Sequence, residues 1–328
     1  MTDRAVLLDV GHGNCTVFHI GNQVAVVDAG RGSTLLDYVR EENVSEIEVV
    51  LLSHADQDHI AGLLGLLVEG ILVKEVYVNP DALRNTAVWE DLAAELGRAW
   101  NAGRTVVKST LSSGDSPIRI GLLELQVVAP SPVLVLSRSQ RTATALNANS
   151  LSAVVRAVYD GRPIGIFPGD LDQVGFEKIV DPEIKMSAPL LVYPHHGGQS
   201  GADADKFATT LVSTVQPRWI VFSIGRGRYQ TPRPDIVGAV RRSAPRARVV
   251  CTQLADHCAT AVPGADPHHL NATVARGRDE RRCCGGSLIM PLTSTLELLP
   301  DPGQHLTFIR ANAGNALCQA VLPGSTTP

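Results

Sequence analysis

The stretch Val49-Val50-Leu51-Leu52-Ser53-His54-Ala55-Asp56-Gln57-Asp58-His59, continued by Ile60-Ala61-Gly62-Leu63-Leu64-Gly65-Leu66-Leu67, decides how this chain is read. A short apolar run closing on Ser53 predicts a strand covered on both faces, and the Leu-rich run from Asp58 predicts a helix packed back on it. In the extended turn between them His54 and Asp56 point the same way, while Asp58 and His59 fall in the first helical turn and close around a neighbouring position. Imidazole and carboxylate are the donors that divalent zinc, manganese and iron accept. Helix capping or surface exposure explains one such residue well. Neither explains His54, Asp56, Asp58 and His59 together.

Working outward, Ala5–Val10, Val24–Asp28, Glu75–Asn79, Leu190–Tyr193 and Trp219–Ser223 are further strand candidates, and residues 86–101 form an amphipathic helix with Trp89, Leu92, Leu96 and Trp100 on one stripe. Residues 152–158 and 163–167 predict a hairpin around Asp160-Gly161. Three strands end on polar residues: Asp28, Asp170 in Pro168-Gly169-Asp170, and His195-His196 in Pro194-His195-His196-Gly197. Ligand sites in α/β sheets gather beyond the carboxyl ends of strands, so these join the first cluster as metal-ligand candidates, with Asp28 set to orient a ligand histidine from behind. Asp172 reads better as a turn aspartate. His12 and Asn14 sit in a Gly-rich turn after the first strand, either a plain tight turn or a loop that reaches substrate.

Taken in order, Asp28-Ala-Gly, His54-x-Asp56-x-Asp58-His59, Gly169-Asp170 and His195-His196-Gly197 resemble the metallo-β-lactamase superfamily, and within it the soluble hydrolase domain of ComEC-like DNA-uptake proteins. Leu8-Asp9-Val10-Gly11-His12-Gly13-Asn14 is similar to that group's Leu-Asp-Val-Gly-Gln-Gly-Asp, and Asn149-Ser150-Leu151 to its Asn-Ser-Leu segment. The resemblance covers residues 5–245. It implies an α/β fold, a four-layer αββα sandwich with the site at the edge of two facing sheets, and hydrolysis by metal-activated water with phosphodiesters favoured. It implies one or two divalent metal ions, Zn²⁺ or Mn²⁺, held by His54, Asp56, Asp58, His59, Asp170, His195 and His196, with Asn149 supporting them. Asp58 is the candidate to orient or deprotonate water, and His196 or His195 to ligate metal or protonate a leaving group. The chain departs from the commoner family patterns in three places. No histidine lies between His59 and His195, so the third-motif histidine of glyoxalases and lactamases is missing, as it is in ComEC-like sequences, and Thr231 stands where the ComEC-like Tyr-Gly-His-Pro carries histidine. Asp56 replaces the commoner second histidine of the first motif, which hardens the donor set toward Mn²⁺.

The chain has 328 residues, 44% hydrophobic and 4% aromatic, so its core rests on Val, Leu, Ile and Ala. A net charge of −4 gives no global pull toward nucleic acid or membrane. With no leader pattern and no apolar run of membrane-spanning length, the expectation is a cytoplasmic protein without membrane contact. Arg226, Arg228, Arg233, Arg241, Arg242, Arg246 and Arg248, then Arg276, Arg278, Arg281 and Arg282, suit phosphate binding or a solvated face equally. On the first reading the partner is a nucleotide or nucleic acid, with Arg228 a substrate-binding candidate beside His12 and Asn14. We assign residues 1–250 to the hydrolase domain and 251–328 to a Cys-containing extension packed on it. In that extension residues 259–282 predict an insertion or mobile loop, 287–290 and 294–298 a closing strand pair, and 322–328 a frayed tail. Cys251, Cys258, Cys283 and Cys284 fit buried thiols better than a structural zinc site. The functions left open are a phosphodiesterase or nuclease, a thioester, lactone or lactam hydrolase, and a non-catalytic metal-binding sensor.

Overall fold

The computed structural model describes residues 2–79, 86–109, 111–137, 146–179, 185–227, 229–265 and 267–319. Arg228 and the tail from 322 lie outside them. The chain runs β1 (Arg4–Leu7), β2 (Cys15–Ile20), β3 (Gln23–Ala29), α1 (Thr34–Glu41), β4 (Glu46–Leu52), α2 (Gln57–Val68), β5 (Leu72–Val78), α3 (Ala87–Asn101) and β6 (Val106–Lys108). It continues with β7 (Ile118–Ile120), β8 (Leu123–Ala129), α4 (Pro132–Ser137), β9 (Val154–Tyr159), β10 (Arg162–Phe167), α5 (Gln173–Ile179) and β11 (Leu190–Val192). The remainder is α6 (Ala204–Val215), β12 (Trp219–Phe222), α7 (Pro234–Ser243), β13 (Arg248–Cys251), β14 (Leu288–Pro291) and α8 (Pro302–Asn312).

Two seven-stranded mixed sheets form, ordered β14-β1-β2-β3-β4-β5-β6 and β13-β12-β11-β10-β9-β8-β7. Strand alternation explains why they stack. In β4, Val49 and Leu51 enter the core shared by both sheets, while Val50 and Leu52 pack under α2 and α3 with Ile60, Leu63 and Leu92. In β12, Trp219 and Val221 enter the shared core, while Ile220 and Phe222 pack beneath α6 and α7 with Leu211, Val212 and Ile236. The result is helix, sheet, sheet, helix, the αββα sandwich that the resemblance implies. Among the described residues no helix is long and apolar enough to cross a membrane.

Several local expectations need correction. The first strand stops at Leu7, because buried Asp9 turns the chain by accepting the Gly11 amide at 3.0 Å. Trp100 is 53% exposed, since the last turn of α3 runs past the surface that buries Leu92 and Leu96. Residues 294–298 form no strand; β14 pairs with β1, and its outer edge meets only Leu299, in a single antiparallel bridge to Ile289. The irregular segment between β13 and β14 is tied down rather than loose: Gly277 N and Gln253 Nε2 donate to the Asp9 carboxylate at 2.9 Å each, and Arg276 N donates to the Asp9 carbonyl at 2.8 Å. Asp160 and Gly161 take positive φ in the turn between β9 and β10, the twist a two-residue hairpin needs.

Candidate metal centre

Four chain segments end at one edge of the sandwich. Ser53 to Asp58 lead from β4 into α2, Asp28 closes β3, Gly169-Asp170 follow β10, and a 3₁₀ turn at Pro194–Gly197 follows β11. Asp28, His195 and His196 all have positive φ, at 58°, 51° and 55°. Such conformations in non-glycine residues persist where the surrounding structure over-determines them, as at ligand-holding turns. Gly169 (φ 55°) is obligatory, since a Cβ there would lie 2.4 Å from both the Ser53 and Ser152 hydroxyls.

Asp58, His59, Asp170 and His196 each offer a donor atom, and these atoms lie within 4.8 Å of one another. Asp170 joins two halves of the site. Its Oδ1 lies 3.2 Å from His59 Nε2 and 3.5 Å from His196 Nε2, while its Oδ2 lies 3.6 Å from His54 Nε2 and 3.1 Å from His195 Nδ1. Asp58 Oδ2 stands 3.2 Å from His196 Nε2, and Asp56 Oδ2 stands 3.5 Å from His54 Nε2. His54, Asp56 and His195 thus surround the second oxygen of Asp170 but fall outside the tighter group of donors.

The histidine rings are aimed from behind. His59 donates Nδ1–H to Asp28 at 2.8 Å, and His196 donates Nδ1–H to the Ser223 carbonyl at 2.8 Å. Ser53 Oγ donates to Asp28 at 2.8 Å and accepts from His54 Nδ1 at 3.0 Å. Each ring therefore turns Nε2 and its lone pair into the site. Nε2 of His54, His59 and His196 and Oδ1 of Asp170 are buried without hydrogen-bond partners. Buried polar atoms of native proteins are ordinarily paired, so converging orphan acceptors fit a divalent cation.

Electrostatics agree with this arrangement. Burial opposes ionisation of Asp58 and Asp170, but the histidines around them outweigh it and hold both carboxyls below the usual range. Burial likewise opposes charge on His59, yet Asp28 and Asp170 outweigh it and raise that imidazole well above its ordinary value. The negative potential that does this favours any cation at the site.

With this geometry in view, residues 8–141 match the family model described as the metallo-beta-lactamase superfamily. The chain has the metallo-β-lactamase fold. ComE operon protein 3 of Bacillus subtilis (strain 168) is 22% identical over 213 residues, 65% of this chain and 24% of that protein, so the chain spans about a quarter of that relative's length. Among solved structures, the metallo-beta-lactamase fold protein YhfI from Bacillus subtilis superposes at TM-score 0.49 with 15% identity, covering 76% of this chain and 96% of that one. Igni18, a metallo hydrolase from the archaeon Ignicoccus hospitalis, gives TM-score 0.46 and 15% identity over 75% of this chain and 94% of that one.

On this metallo-β-lactamase scaffold a cavity of about 630 Å³ opens over the donors, walled by His12, His195, Tyr229, Gln230 and Thr231 among others. His12 Nε2 lies 3.6 Å from Asp58 Oδ2. Asn14 does not line the cavity. It is buried, and its backbone N–H donates to the Asp58 carbonyl at 3.2 Å, because Gly13 brings the loop so close that a Cβ would sit 2.4 Å from that oxygen. Asn149 Nδ2 lies 3.5 Å from His195 Nδ1, and Asp172 accepts from Ser150 Oγ at 2.8 Å, away from the donors. Thr231 is buried on the cavity wall with its hydroxyl unpartnered. Most of the arginines serve the fold: Arg226, Arg248 and Arg278 donate to backbone carbonyls, while Arg233 and Arg242 pair with Asp235 and Asp205. Sequence reasoning missed Ser53, Ser223 and Tyr229. Nothing in their residue types or spacing marks them, since a serine after a strand or a tyrosine in a loop is ordinary.

Proposed function

We propose that this chain is a metal-dependent hydrolase, with Asp58, His59, Asp170 and His196 holding one divalent cation and His54, Asp56 and the second Asp170 oxygen disposed to hold another. What carries this reading is the convergence of buried, unpartnered donors on the floor of an open cavity. A divalent cation supplies Lewis acidity there, lowering the pKa of water and offsetting charge that develops at the attacked centre. Asp28, Ser53 and the Ser223 carbonyl fix the imidazole tautomers that leave Nε2 available. Asp58, partly open to the cavity, orients the attacking water. His196 has its Nε2 committed among the donors and its side chain 2% exposed, whereas the His195 side chain is 36% exposed. The leaving-group proton is therefore assigned to His195 rather than His196.

The favoured substrates are phosphodiesters, a reading supported by the ComEC-like motifs. Thr231, which puts no imidazole on the wall, keeps a non-catalytic metal sensor as the second reading. The test is metal analysis of the purified protein, followed by assays against bis(p-nitrophenyl) phosphate, a thioester, a lactone and a β-lactam with Zn²⁺ or Mn²⁺. Phosphodiester turnover lost in both His54→Ala and Asp58→Ala is expected. Turnover of the acyl substrates alone would move the reading to them, and bound metal without any turnover would leave the sensor.

A further inference from the structure

The cavity has one wall that the hydrolase reading does not use. The Tyr229 ring lies parallel to that of His12, with centroids 3.8 Å apart and an interplanar angle of 18°, and His12 in turn leans on His196 at 4.2 Å. Tyr229 is 43% exposed and lines the cavity, so an aromatic surface reaches from solvent almost to the donor atoms. Its backing is rigid. Ser223 Oγ donates to the Gly13 carbonyl at 2.6 Å, Asp9 accepts the Gly11 amide, and Gly225 approaches so closely that a Cβ there would lie 2.5 Å from the His12 nitrogen.

We infer that Tyr229, backed by His12, is a stacking platform for the base of a nucleoside phosphate ester whose phosphate sits over the Asp58–Asp170 donors; this rests on the proposed hydrolase reading and narrows its substrate. Flat rings stack on aromatic side chains with little regard to sequence, because every base has a π face. A ring already held parallel to a second ring loses little freedom when a base lands on it. The His12 edge lies 3.6 Å from Asp58 Oδ2 and its ring stacks on Tyr229, so a single ring stands between the platform and the donors, and both open into the same cavity. Gln230, beside the tyrosine on the same wall, brings an amide with both donors and acceptors for a base edge.

The test is equilibrium binding to the full chain loaded with Mn²⁺ or Zn²⁺, comparing thymidine 5′-monophosphate with ribose 5-phosphate, which lacks the base. The wild type is expected to bind the nucleotide more tightly. Tyr229→Ala should erase that margin, weakening the nucleotide by about 10- to 100-fold while leaving ribose 5-phosphate unchanged, and Tyr229→Phe should keep it. Equal affinities in the wild type, no nucleotide binding at all, or equal losses for both ligands in Tyr229→Ala would each overturn the platform. If the nucleotide margin depends on Tyr229 but no ester is turned over, the platform stands and the hydrolase reading falls.

Discussion

Two buried clusters of candidate metal donors lie in this molecule, and they differ in instructive ways. At the sheet edge, His54, His59, Asp170 and His196 point unpartnered atoms at one another beneath an open cavity. Under α8, Cys251 and Cys284 are buried in the apolar core beside Phe308 and Ile309, with Cys258 and Cys318 packed against it. Burial pushes the Cys258 thiol up to about 12 and raises the other three, so they are held as thiols rather than as thiolate ligands. The nearby His305 has both nitrogens engaged, with Nε2 3.3 Å from Cys284 Sγ and Nδ1 3.5 Å from Arg248 Nη2. Among the described residues only the sheet-edge group brings its donors within 4.8 Å of each other. Residue type alone does not make a metal site. Convergence, deprotonation and orphaned lone pairs do.

The comparison breaks most decisively at Asp170, which serves both halves of the sheet-edge site. Asp170→Asn is expected to lower phosphodiester turnover by about 10³-fold, the scale of several kcal/mol of lost charge stabilisation, and to reduce bound metal. Full metal content with unchanged rate would separate this residue from the site. Asp28→Asn tests the aiming of the rings. It leaves every proposed ligand in place but removes the negative charge and turns one of the two accepting oxygens that hold His59 and Ser53 into a donor, so metal affinity should fall by about 10- to 100-fold. Competition against a chelator reads this directly, and an unaltered affinity would show that the rings need no such support.

The same contrast explains how much was legible beforehand. The short apolar runs and the Leu-rich helix after Asp58 announced strands buried on both faces beneath helices, while the four-layer sandwich itself was implied by the resemblance of the motifs to the metallo-β-lactamase superfamily. The His54–His59 run announced the centre because its donors are adjacent in sequence. What stayed hidden depends on chain segments far apart. Ser223 meets His196 through its carbonyl, a group every residue has, and Tyr229 gains meaning only from the His12 ring, more than two hundred positions away. The strand expected over residues 294–298 shrinks to a single bridge, in which Leu299 exchanges backbone hydrogen bonds with Ile289 on the outer edge of β14. Propensity is local, whereas the length of a pairing depends on how the whole segment runs past its partner.

Smaller effects should come from the thiol cluster. Cys251→Ser with Cys284→Ser is expected to leave metal stoichiometry unchanged while costing roughly 1–3 kcal/mol of stability, since hydroxyls would be buried among apolar neighbours. Loss of a bound zinc in that variant would instead make the cluster a structural metal site. Finest of all is the pH dependence that His305 imposes. Burial, with help from Arg248 and His269, lowers this 1%-exposed imidazole to about 3, against about 6.5 in an unfolded chain. The unfolded state then binds the extra proton, so this contribution to stability is complete above pH 6.5 and is lost as pH falls toward 3, at up to about 1.4 kcal/mol per pH unit. Denaturant unfolding at saturating metal, compared between wild type and His305→Gln across that window, isolates the residue, because the sheet-edge histidines are common to both proteins. The variant's stability should decline less steeply with acid, and parallel curves would mean that His305 is protonated as readily in the folded chain as in the unfolded one.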